Sequence, residues 1–158
     1  MTNIAPSAQT KAVKDPSFVL NADIGVDLVA DAIVFSGEED VSLKSLELQP
    51  LADGDLVVDV GWSGVSTGTE RLLWSGEMPP FPGLSYPLVP GYESVGRVVH
   101  SRADGDWIGA NVFIPGANCY RNASGLFGGS SSRLIVPAHR AVRLDREGRS
   151  EDVLLALA

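Results

Sequence analysis

A mainly β fold, built as a small barrel or sandwich, is what three features of the chain predict. Short apolar, β-branched runs recur at near-regular spacing with turn residues between them. The 17 glycines and 10 prolines make up about 17% of the 158 residues, against roughly 12% in an average protein. Only two places carry helix signals, and both are short.

Residues 1–16 (MTNIAPSAQTKAVKDP) show no sustained periodicity and are punctuated by Pro6 and Pro16. They read as a flexible arm, and the arm is expected to reach residue 30. Phe18 to Val29 reads either as a strand or as one or two helical turns. From Asp31 the pattern is β. Ala32-Ile33-Val34-Phe35 is closed by Ser36-Gly37, and a second strand alternates through Val41, Leu43, Leu46 and Leu48 before Pro50. After the turn Asp53-Gly54-Asp55, the run Leu56-Val57-Val58-Asp59-Val60 has the composition of a core strand.

Thr67-Gly68-Thr69-Glu70 has the spacing of a capping box ahead of Arg71-Leu72-Leu73-Trp74, and Gly76 stops that helix after about two turns. Five prolines between positions 79 and 90 make a stiff segment that cannot join a central sheet. Further strands are expected at Ser94–His100, Trp107–Ile114, Ser132–Val136 and Ala141–Leu144, the last two parted by Pro137-Ala138-His139. Ser150-Glu151-Asp152 then caps an apolar helical start, Val153 to Ala158. The expected organisation is an arm over 1–30, one β domain over 31–148, and over 149–158 the start of a helix leading to another domain.

Composition narrows the function. Residues 1–59 hold eleven acids and three lysines, while 60–158 hold nine acids and nine arginines, so the formal charge of −8 sits at the front. An acidic front and a neutral remainder disfavour a nucleic-acid partner, which needs a basic face. No apolar run reaches the ~20 residues of a membrane helix and no basic-then-apolar leader opens the chain, so the expected compartment is the cytoplasm. One cysteine, Cys119, excludes an intrachain disulfide and reads as a small packed residue rather than a metal ligand. His100 and His139 read as ordinary polar residues.

The chemistry-bearing centre is Gly64-Val65-Ser66-Thr67-Gly68-Thr69-Glu70, where small and hydroxyl residues fall between a strand and a helix. Beyond it the proline-rich stretch holds Phe81 and Tyr86, with Trp74 before it and Tyr92 after it, as either a packed connection or an apolar wall for a large ligand. Gly91-Tyr92-Glu93-Ser94-Val95-Gly96-Arg97-Val98-Val99 follows.

These stretches, with Gly109-Ala110-Asn111-Val112, Gly128-Gly129, Ser131 to Ala138 and Val142-Arg143-Leu144-Asp145, resemble in order and spacing the GroES-like catalytic domain of medium-chain dehydrogenase/reductases. The resemblance runs from about Asp31 to the end of the chain. It implies a partly open β-barrel with short helices, followed in the family by a Rossmann domain absent from this chain. The finer run Trp62 to Gly76, with Met78-Pro79-Pro80-Phe81-Pro82-Gly83, is similar to a branch that oxidises the 3-(1-hydroxyethyl) group of a bacteriochlorophyllide to acetyl with NAD. The implied ligand is thus a chlorin, with Trp74, Phe81 and Tyr86 as substrate-binding candidates. A homo-oligomer built through the Rossmann domain would be compatible with the family.

Departures from the family pattern carry as much information. Zinc-dependent members place a Cys after Ser-Gly-Val and a His between Gly and Glu; here those positions hold Ser66 and Tyr92. A hydroxyl and a phenol are poor zinc ligands, so no catalytic zinc is expected, and one cysteine cannot build the family's four-Cys structural site. Candidates to handle the substrate oxygen are then Ser66, Thr69, Glu70, Tyr92 and Glu93. The structural alternative for Glu70 or Glu93 is an ion pair with Arg71 or Arg97. No G-x-G-x-x-G occurs, so no cofactor-binding residues are expected in this chain and NAD would be held by the Rossmann domain. A zinc-free quinone or enoyl reductase, or a stand-alone binding module, would share the same barrel.

Overall fold

The computed structural model describes residues 27–144. The expected arm up to Val26, the strand-or-helix segment before Asp27, Asp145 and the helical start after Ser150 lie outside the described residues.

A two-residue turn at Glu38-Glu39 joins the strands β1 (Val29–Gly37) and β2 (Asp40–Glu47) into an antiparallel hairpin. β1 thus begins at Val29, inside the segment expected as arm, and Leu28 before it is already tied in, its carbonyl accepting the Leu48 amide at 2.9 Å. Along β1, Ala30, Ala32 and Val34 alternate inward as a half-buried strand requires. An irregularity in the pairing between Phe35 and Gly37 breaks that period, and Phe35 is buried as well. In β2 the alternation through Val41 and Leu43 does not mark a buried face: those side chains are 54% and 71% exposed, and Leu48 carries the packing.

The larger sheet contains β3 (Asp55–Ser63), β4 (Ser94–Ser101), β5 (Asn111–Ile114), β6 (Arg133–Pro137) and β7 (Val142–Arg143), in the order β6-β3-β4-β5-β7, all antiparallel. β5 starts later than the expected Trp107, because Gly109 takes a φ of 84° and turns the chain just before the strand. A short 3₁₀ turn, Ala138–Arg140, parts the last two strands. No strand ladder joins hairpin and sheet among the described residues; isolated bridges such as Ala32 with Ser131 and Leu48 with Tyr120 tie the hairpin to the loops around the sheet. The fold is mainly β, as the sequence implies; its sheets stay open, and no closed barrel forms among the described residues.

The main core fills the space between these sheets with Val34, Leu48, Leu56, Val57, Val58, Val98, Val112, Ile114, Leu134 and Val136. Each such side chain contributes roughly 1.5–3 kcal/mol on burial. A second, smaller cluster (Phe35, Leu73 and Leu88) gathers Met78, Leu84, Tyr86 and Phe127 around it. It is this satellite that positions the candidate site. It fixes the one described α-helix, α1 (Thr69–Ser75), through Leu73, and the proline-rich segment through Leu88, whose amide and carbonyl both bond to Phe35 at 2.8 Å.

The start of α1 differs from the capping box expected at Thr67. Gly68 is the cap residue, and no side chain caps the helix. The Glu70 amide bonds instead to the Ser66 carbonyl at 3.0 Å, so the entry turn is closed by backbone. The stop at Gly76 is as the sequence implies, with a left-handed φ of 74°.

Candidate active site

The antiparallel pairing of β3 and β4 brings the candidate residues together. Its last partners are Ser63 and Ser94, so the residues leaving β3 and those entering β4 lie side by side. The Gly64 amide donates to the Glu93 carbonyl at 2.7 Å and extends this pairing by one step. A Cβ on Gly64 would stand 2.7 Å from Glu93 Oε2, so glycine at this step leaves the Glu93 side chain room to lie across the end of the pairing. Residues 64–70 and 91–93 thus face each other across one short gap.

Three of the expected hydroxyls meet in that gap. The Ser66 hydroxyl points at Thr69 Oγ1 at 3.4 Å, and Thr69 Oγ1 stands 3.5 Å from the Tyr92 hydroxyl. Both distances are long for O–H···O bonds, so the three groups are neighbours with hydrogen-bonding capacity to spare. A secondary alcohol placed among them would find both donors and acceptors.

Glu70 follows Thr69 on α1 and is 8% exposed, and neither of its carboxylate oxygens has a hydrogen-bond partner. Burial raises its pKa above the ordinary carboxylate value, and the charge of Glu93 adds to the rise. The amides of Glu70, Ser66 and Gly91 offset part of this without reaching hydrogen-bond geometry. The alternative ion pairs do not form. The salt bridges among the described residues are Arg121 with Glu47 at 3.8 Å and Arg133 with Asp59 at 2.6 Å, far in sequence from either glutamate.

Of the expected apolar wall, only part reaches the hydroxyls. Phe81 and Tyr92 are linked through a residue that sequence reasoning missed, Phe127. Its ring centroid lies 6.2 Å from that of Phe81 and 5.7 Å from that of Tyr92, with interplanar angles of 61° and 60°. Tyr86 has another task, donating its hydroxyl to the Leu73 carbonyl and so tying the proline-rich segment to α1. Trp74, on α1, is 37% exposed, and its carbonyl accepts the Glu39 amide at 2.7 Å. The one signal for Phe127 in the sequence is its setting, a lone aromatic framed by Gly125, Gly128 and Gly129.

The other candidates lie elsewhere. Cys119 is 3% exposed in the main core, and burial pushes its thiol up to about 11, far from any role as ligand or nucleophile. His139 lines an open cleft of about 590 Å³ with Asp53, Arg102 and Trp107. That cleft borders the opposite end of β3 and β4, where Leu56 pairs with Ser101. The donors gathered at this site are hydroxyls, a phenol and two carboxylates, and among the described residues no three His, Cys, Asp or Glu side chains gather in one place.

The chain belongs to the alcohol dehydrogenase GroES-like domain family, which matches residues 52–146, and its open antiparallel sheets agree with that class. Among curated relatives, it is 50% identical over 133 residues to the 2-desacetyl-2-hydroxyethyl bacteriochlorophyllide A dehydrogenase of Cereibacter sphaeroides, covering 80% of this chain and 42% of that protein. It is 53% identical over 128 residues to the protein of the same name from Rhodobacter capsulatus, covering 80% and 41%. The chain thus spans about two fifths of the length of these relatives. Among solved structures, acetophenone reductase from Geotrichum candidum in complex with NAD shares the fold, with a TM-score of 0.63, 19% identity, and coverage of 79% of this chain and 42% of that one. No helix among the described residues is long and apolar enough to cross a membrane.

Proposed function

We propose that this chain is the substrate-side domain of a zinc-free, NAD-dependent oxidoreductase. In this reading the full-length enzyme oxidises the 3-(1-hydroxyethyl) group of a bacteriochlorophyllide to acetyl, a step of bacteriochlorophyll biosynthesis. The observation that carries it is the hydroxyl cluster of Ser66, Thr69 and Tyr92 at the end of an aromatic row. It stands in a chain 50–53% identical to proteins named for that dehydrogenation.

Oxidation of a secondary alcohol removes a hydride from carbon and a proton from oxygen. The described residues do not fit a dinucleotide, since their one α-helix has seven residues and no G-x-G-x-x-G precedes it. A nicotinamide cofactor, the two-electron acceptor this oxidation needs, is therefore assigned outside them. What these residues do is hold the alcohol oxygen. Tyr92 and Thr69 can each donate a hydrogen bond to it, Ser66 buttresses Thr69, and those donated bonds strengthen as negative charge grows on oxygen. Glu70 and Glu93 are the carboxylates beside them that can hold the departing proton, and burial favours the protonated form of Glu70. An acidic chain of this kind has no nucleic-acid partner in this reading, and its compartment is the cytoplasm.

The test is turnover by the full-length enzyme with NAD, following NADH and the absorbance of the macrocycle together. Conversion of the hydroxyethyl chlorin to its acetyl product supports the reading. Reduction of quinones or enones with no chlorin oxidation replaces it with the reductase alternative, and chlorin binding without turnover replaces it with a binding module. One zinc per chain in elemental analysis of chelator-free enzyme would overturn the zinc-free part.

A further inference from the structure

Phe127 is the middle member of a row whose three aromatics come from three separate stretches of chain: the proline-rich segment, the entry to β4 and the loop before β6. All three rings are half-buried. Phe127 packs onto the satellite core of Phe35, Leu73 and Leu88 and still reaches the surface. At one end of the row the Tyr92 hydroxyl meets Thr69.

The backbone under Phe127 is held from several directions. Its carbonyl accepts the Ala117 amide at 2.8 Å, and the next residue, Gly128, donates to the Val89 carbonyl at 3.0 Å. The Gly128 carbonyl in turn accepts the buried Tyr120 hydroxyl at 2.5 Å. Gly129 donates to the Gly91 carbonyl at 2.6 Å, which seats this loop against the residue before Tyr92. A Cβ on Gly116 would overlap the Phe127 carbonyl oxygen, and one on Gly128 the Ala117 carbonyl oxygen. So much backbone bonding and glycine clearance under one surface aromatic indicates a ring placed before any ligand arrives, which lowers the ordering cost of binding.

Resting on the function proposed above, we propose that Phe127 is the residue that selects a broad planar macrocycle over a small secondary alcohol. A small alcohol needs only the hydroxyls. A macrocycle whose side-chain hydroxyl sits at Thr69 and Tyr92 extends along the row, and Phe127 is the ring that makes the row continuous between Tyr92 and Phe81. Its contribution is made to ring binding rather than to charge developing on oxygen, so it acts mainly on KM.

The experiment uses the full-length enzyme with Phe127→Ala and Phe127→Leu. Equilibrium binding of hydroxyethyl-bacteriochlorophyllide is read from its own fluorescence, and kinetics are compared with 1-phenylethanol, which carries the same hydroxyethyl group on one small ring. The expected result for Phe127→Ala is a loss of about tenfold or more in macrocycle affinity, KM rising more than kcat falls. Selectivity for macrocycle over 1-phenylethanol falls with it. Phe127→Leu, which keeps apolar volume without a flat ring, gives an intermediate loss and guards against misfolding of the alanine variant. Unchanged macrocycle affinity in a folded variant, or an equal loss for both alcohols, overturns the assignment while leaving the proposed reaction standing. If the wild-type enzyme binds the chlorin without oxidising it, the reaction falls, and the affinity difference between wild type and variants still decides the role of Phe127.

Discussion

Tyr92 and Phe127 meet with ring centroids 5.7 Å apart and planes tilted at 60°, although 34 residues of chain and two strands separate them. That tilt leaves the phenol hydroxyl directed to Thr69 while the body of the ring is braced by an apolar neighbour. One side chain therefore belongs both to a polar cluster and to an aromatic row.

Splitting those two roles gives the first prediction. Tyr92→Phe keeps the ring and removes the hydroxyl, so turnover on the hydroxyethyl chlorin should fall by about ten- to a hundredfold with little change in ring binding. Phe81→Ala should do the opposite, weakening binding by ~1–3 kcal/mol through lost apolar burial. Steady-state kinetics of both variants in the full-length enzyme check the pair. Unchanged turnover in Tyr92→Phe would transfer the oxygen contact to Ser66 or Thr69.

A second prediction concerns Glu70. Folding raises its pKa above the ordinary 4.5. Between that value and the raised one the native state binds more protons than the unfolded state, so stability falls as pH climbs through that window. Glu70→Gln removes the titration and the repulsion from Glu93. The variant should come closest to the parent at low pH, where Glu70 is protonated in both states, and exceed it at pH 7, where the parent must keep a charge in a buried position. Thermal midpoints across pH 4–8 measure this; parallel profiles would show that Glu70 does not titrate differently on folding.

Cys119 supplies a third. At 3% exposure, with its thiol pushed up to about 11, it should resist alkylation at pH 8 in the native protein and react at once in denaturant. Mass spectrometry after a short iodoacetamide pulse reads the outcome. Rapid labelling of native protein would place Cys119 outside the core.

Gly116→Ala tests the seating of Phe127. Gly116 has a φ of 89°, and the added methyl would run into the Phe127 carbonyl. A loss of about 2–3 kcal/mol is expected from strain and displacement together, with macrocycle affinity falling alongside. A stability change below ~0.5 kcal/mol would mean that the loop moves aside freely.

Much of the fold was legible because its strands are local. The β-branched runs at 32–35, 56–60, 94–100 and 132–136 announce themselves, and Gly76 marks the end of α1. The meeting of Ser66, Thr69 and Tyr92 was legible in outline, since a strand leaving toward Ser66 and another arriving from Tyr92 need only pair antiparallel. Phe127 was not, because its place depends on main-chain bonds such as Gly129 to Gly91, which have no periodicity to betray them. The cap at Thr67 failed for a related reason. The Ser66 carbonyl took up the amide of Glu70, so no hydroxyl was needed there, and Glu70 was left buried without a partner. A local motif predicts a local bond, and here the neighbouring backbone made it first.

The bridge between hairpin and sheet sets an order of events during synthesis. The Asp31 amide bonds to the Ser132 hydroxyl and the Asp31 carbonyl accepts the Ser132 amide, across 101 residues of chain. At ~5–20 residues per second, a ribosome needs on the order of 5–20 s to deliver that partner after β1 has emerged. Through that interval the nascent hairpin lacks its bonds to the Ser130–Ser132 stretch, and Val41 and Leu43 stay exposed even in the finished fold. Asp40, Lys44 and Glu47 lie along the outer strand and place charge on the edge that a second nascent chain would otherwise join. The acidic front of the chain thus guards the part of the domain that waits longest for its partner.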